Sequence, residues 1–191
     1  MIALVITGLM GACIAVMINS VSAGTVGEQD GRRHLVRIQA LQSRISTLLH
    51  SSQCILAAGP SYLVYWSQDT NNDHAVQLSE LAMLQLNGTV LQQYTTVWPE
   101  GFSPVQIASA NATYATNSNW YSAAQNAKTS YLKPRPIATN VAAFTVTWDA
   151  LVTPRVATNA NMATCIITLS DGQVQRTAAF TAALRAPAPP Q

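Results

Sequence analysis

The segment DTNNDHAVQLSE places oxygen-bearing side chains at Asp69, Asn71 and Asp73, every second residue, followed by Ala75 with a carbonyl to offer and by Glu80. Alternating oxygens of this kind curl a chain around a hard cation, and a bidentate Glu closes the shell, which is the ligand order of an EF-hand-like calcium loop. Val76 is apolar, as a loop tied to a core requires. The sharp turn that Gly makes in such loops falls here on His74, where a left-handed backbone carries a cost. The residues before it read as a strand, whereas a helix enters a true EF-hand. The loop is therefore expected to hold a structural Ca2+ through Asp69, Asn71, Asp73, Ala75 and Glu80. The metal-free alternative is an Asx-rich turn whose side chains cap their own backbone.

Little else in the chain points to chemistry. No GxSxG elbow, HExxH helix, phosphate loop or GxGxxG occurs. His34, His50 and His74 are scattered, and the histidines of the long helical stretch read as solvated. Trp66, Trp98, Trp120 and Trp148 are spread through the chain and read as packing residues. Three cysteines are too few for a disulfide scaffold and have no CxxC spacing. Cys54 and Cys165 would pair in an oxidising compartment, leaving Cys13 alone in an apolar run. An enzyme is not expected. The net charge of +2, without a Lys/Arg run, predicts no nucleic-acid partner.

Charged residues make up only 9% of the 191 and hydrophobic ones 49%, against about 25% charged in soluble domains. Part of the skew lies in MIALVITGLMGACIAVMINS, where Met1 to Met17 carry no charge. As a helix that stretch would reach roughly 25 Å, slightly short of a hydrocarbon core of about 30 Å. From Asp30 an amphipathic stripe follows, Leu35, Ile38, Leu41, Ile45, Leu48 and Leu49, ending before AAGP. The expected organisation is a spanning helix over 1–23, its amphipathic continuation over 24–56, an antiparallel sheet domain over 57–185 and a disordered tail over 186–191.

Within the domain, strands are expected at Ser61–Ser67, Glu80–Gly88, Thr89–Trp98 and Val141–Asp149, with a closing hairpin around Asp171–Gly172. A helix is expected from about Asn117, ended by Lys133–Pro136. The fold class is then α+β, a long N-terminal helix roofing one antiparallel sheet.

On these residues the chain resembles the type IV pilin-like proteins, and among them the minor pseudopilins of type II secretion. The apolar run MIALVITGLMGACIAVMINS resembles the one that follows the family's helix-start Glu. RRHLVRIQALQSRISTLLHSSQCIL is similar to the helix that continues it, and LSDGQVQRTAAFTAALR to the closing hairpin. The resemblance implies a basic leader ending in Gly and a helix-start Glu upstream of Met1. It implies a structural fibre subunit in the inner (cytoplasmic) membrane, single-pass, with its domain in the periplasm or cell exterior. Its partners would be other pilin or pseudopilin subunits, inner-membrane assembly proteins and the lipid bilayer. Small residues Ala3, Gly8, Gly11, Ala12 and Ala15 would permit the close helix–helix approach of a fibre core. The alternative is a membrane-anchored or secreted calcium-binding adhesion module that forms no fibre.

Overall fold

Residues 34–149, 160, 162–171 and 174–184 are described by a computed structural model of the chain. Two compact units divide at Ala40 and Leu41. In the first, residues 34–40 are helical, and His34 is buried rather than solvated. The helical run, α1, covers 34–51. Its end is local: the hydroxyls of Ser51 and Ser52 donate to the carbonyls of Leu48 and Leu49, three residues back. Such side-chain bonds offer the backbone an alternative to further helix.

Two antiparallel sheets follow, five strands in order β1-β2-β3-β4-β5 and three in order β6-β7-β8. The first sheet runs through β1 Cys54–Gly59, β2 Tyr62–Trp66, β3 Leu81–Asn87, β4 Val90–Thr96 and β5 Leu132–Ala138. The second holds β6 Val141–Trp148, β7 Met162–Asp171 and β8 Val174–Ala183. Between β4 and β5 lie two short helices, α2 Pro104–Ala110 and α3 Trp120–Ser130. Gly88 opens the β3–β4 turn at φ 59°, with Asn87 paired to Val90. The two-residue loop is thus Gly88–Thr89, with Gly at the first central place as a type II′ turn requires.

The two faces of the first sheet are covered separately. Cys54, Leu56, Val64, Trp66, Met83 and Tyr94 form one core with Trp120, Ala124 and Ala127 of α3. On the other face Ile55, Leu63, Leu84 and Leu91 are fully buried. The α1 residues from Leu41 onward lie on that side: Arg44 donates to the Ile137 carbonyl at 3.3 Å, and Leu41, Ile45 and Leu49 point inward. Strand β6 crosses the turn end of this sheet. Ser61 N–H donates to the Phe144 carbonyl and Val141 N–H to that of Thr89, each at 2.9 Å.

Several expectations are corrected. In place of one sheet beneath one long N-terminal helix, the described residues form two antiparallel sheets, eight strands in all, with short helices. The apolar pattern that extends the helix to 56 is instead β1 from Cys54, and Lys133–Pro136 lies inside β5. Proline is tolerated there because β5 is an edge strand, where a missing N–H faces solvent. Among the described residues no helix is long and apolar enough to cross a membrane, a correction to the expected single-pass inner-membrane placement and to the pilus and secretion assignments drawn from it. The expected spanning segment 1–23, with Ala3, Gly8, Gly11, Ala12 and Ala15, lies outside the described residues. Cys54 and Cys165 are free rather than bridged. Cys54 sits under α3 in the first sheet and Cys165 between Val146 and Phe180 in the second. Burial pushes each thiol up to about 12, so both stay protonated and inert at neutral pH.

Candidate functional site

Strands β2 and β3 pair from Tyr62 with Gln85 to Trp66 with Leu81, which brings the two ends of the 69–80 loop side by side. At its far end a single 3-10 turn, Leu78–Glu80, delivers Glu80 back to β2. Glu80 is 1% exposed. Its Oε1 accepts from Thr70 N–H at 2.7 Å and from the Thr70 hydroxyl at 2.8 Å. Its Oε2 accepts from Trp66 Nε1 at 3.0 Å and from Gln77 N–H at 3.3 Å. The Glu80 carbonyl also receives Ser67 N–H and the Ser67 hydroxyl. One carboxylate thereby ties strand end, loop entry and loop exit together. A buried carboxylate is tolerable only when it is hydrogen-bonded in this way.

At the front of the loop Asn71 and Asp73 make successive Asx turns, and Asp69 reaches across both of them. Asp69 Oδ2 accepts from His74 N–H at 3.1 Å, Asn71 Oδ1 from Asp73 N–H at 3.2 Å, and Asp73 Oδ1 from Ala75 N–H at 2.8 Å. His74 takes φ 57°, the left-handed turn the sequence order assigns to it, and Asn72 does the same. Asp73 Oδ2 is held by the side-chain amides of Asn71 and Gln77, each at 2.8 Å. Asp69 Oδ1 is buried without a donor, while the His74 ring stands 3.7 Å from Oδ2.

These residues share one loop but do not enclose one point. Glu80, the expected bidentate ligand, has all its oxygen sites taken by donors, and Asp73 has both oxygens engaged. Among the described residues no three of His, Cys, Asp and Glu converge as metal ligands would. As placed, the set Asp69, Asn71, Asp73, Ala75 and Glu80 does not fit a calcium shell. What the arrangement does is fix backbone. Trp66 as the partner of Glu80, fourteen residues away in the chain, is legible only once β2 and β3 are paired.

The Ala75 N–H, above all, holds the Asp73 carboxyl below its ordinary value of 3.8, with the amides of Asn71 and Gln77 adding to it. A lowered carboxyl contributes stability that is present above its ordinary range and lost as pH falls through the lowered value. Asp73→Ala is therefore expected to soften the loop at neutral pH and to match wild type once both are strongly acidified. A carboxyl NMR titration of wild type checks the premise: the Asp73 midpoint must lie under 3.8.

A second surface is notable for what it lacks. The outward positions of the second sheet are Thr145, Thr147, Met162, Thr164, Ile166, Thr168, Thr177, Ala179 and Thr181, without a charge among them. Met162 is 48% and Ile166 38% exposed. Threonine pairs cross the strands, Thr164 with Thr181 at 3.0 Å and Thr168 with Thr177 at 2.9 Å. Such cross-strand hydrogen bonds stabilise the sheet and fix the rotamers of the threonines that make them. Compared with known proteins, the chain matches no family model and no curated sequence.

Proposed function

We propose that this chain is a non-catalytic structural subunit that assembles with further subunits of its own kind through the uncharged outer face of β6, β7 and β8. The observation that carries the reading is that face. Interface centres are depleted of charge, and a rigid surface of Thr, Ala, Ile and Met loses little entropy when covered. The carboxylates of the 69–80 loop support it from another side, since their hydrogen bonds go to holding backbone.

Sedimentation of the full chain over a concentration series tests the reading. Association is expected to grow with concentration and to weaken at least tenfold in Ile166→Lys/Thr181→Lys, where two like charges must be desolvated on contact. Both residues are exposed, so the variant should keep its melting temperature. A wild-type chain that stays monomeric throughout, or a double variant that associates as well as wild type, overturns it.

A further inference from the structure

A cleft of about 300 Å3 lies between α1 and the β4–β5 edge of the first sheet. Arg44 and Arg135 line it together with Ser43, Thr47 and Gln93, and Leu48 and Ile137 supply apolar wall. Among the described residues no carboxylate lines it. Arg44 is steadied by the Ile137 carbonyl at 3.3 Å, and although the Arg135 backbone pairs with Gln93 of β4, its guanidinium has no ion pair or hydrogen bond among the described residues. Two guanidiniums sharing one recess without a counter-charge repel each other and favour an anion between them.

The strand beside the cleft narrows what can bind. Pro134 and Pro136 remove backbone donors from the free edge of β5, so an incoming chain cannot simply add a strand there. Contact must be made by side chains. The mixture of two cations, neutral donors and apolar wall suits a carboxylate carried on an apolar stem. We infer that this cleft docks an acidic segment of a partner protein, with its Asp or Glu carboxylates on Arg44 and Arg135. The inference is independent of the assembly reading, which rests on the second sheet.

The probe is an acetylated, amidated peptide of alternating Glu and Leu, titrated calorimetrically into the full chain at low salt. Wild type is expected to bind it. Arg44→Gln/Arg135→Gln should bind at least tenfold more weakly at an unchanged melting temperature, and Lys133→Gln should bind as wild type does. Arg44→Lys/Arg135→Lys, which keeps the charges and loses the forked geometry, should fall between. Absence of binding by wild type, or equal binding by the double Gln variant, overturns the inference. So does inorganic phosphate, or a phosphatidylserine vesicle, binding the cleft as tightly as the peptide, because either would assign the cleft to a different class of anion.

Discussion

Glu80→Ala is expected to destabilise the chain by about 4 kcal/mol, in the range seen when one member of a buried charged network is removed, and to lower its melting temperature by roughly 8–16 °C. The size follows from what is left behind. Trp66 Nε1 and the N–H groups of Thr70 and Gln77 lose their acceptor. Trp66 is fully buried, so water cannot replace the lost bond without opening the core. Glu80→Gln keeps the shape but turns an amide NH2 toward one pair of donors, and about 2 kcal/mol is expected. Trp66→Phe removes one donor and leaves Oε2 with Gln77. A double-mutant cycle between the two sites should show coupling, since both changes break the same bond. Denaturant unfolding of wild type, Glu80→Ala, Glu80→Gln, Trp66→Phe and the Glu80→Ala/Trp66→Phe double variant gives these numbers. A Glu80→Ala chain as stable as wild type would show that the carboxylate holds nothing.

Ile45→Ala carries the second largest effect, about 3 kcal/mol from lost transfer energy and the cavity left behind. Ile45 is completely buried, on the inward side of α1 with Leu41 and Leu49. Gln42→Ala, on the exposed side of the same helix, should change stability by less than about 0.5 kcal/mol. Equal, small effects at both positions would mean that this part of α1 is not packed on the sheet, and the cleft inferred above would lose one wall.

The two positions also mark what the sequence revealed and what it hid. The apolar stripe through Leu41, Ile45 and Leu49 was readable because a helix brings those spacings to one side. Where the stripe stopped was not, because Ile55 and Leu56 continue its apolar character, and only pairing with β2 makes Cys54–Gly59 a strand. Lys133–Pro136 misled in the opposite direction. Two prolines read as a break until β5 is seen to be an edge. In the 69–80 loop the alternation of Asx side chains and the left-handed turn at His74 were both legible, since each depends on neighbours two to five residues away. The role of Glu80 was not. Its spacing from Asp69 suggested a metal ligand, while its partner Trp66 becomes a neighbour only through the β2–β3 register. The division into two sheets is likewise a matter of long-range pairing. The hairpin of β7 and β8 could be read locally, but its separation from β1 to β5 could not.

Amide hydrogen exchange at Thr70 and Gln77, recorded on the full chain with calcium and again with a chelator, bears most directly on the claim that Glu80 locks this loop without a cation. Equal and strong protection in the two conditions is the predicted result, lost in both when Glu80 is replaced by Ala. Protection that appears only with calcium would contradict the account and restore the carboxylates of the loop to the role of metal ligands.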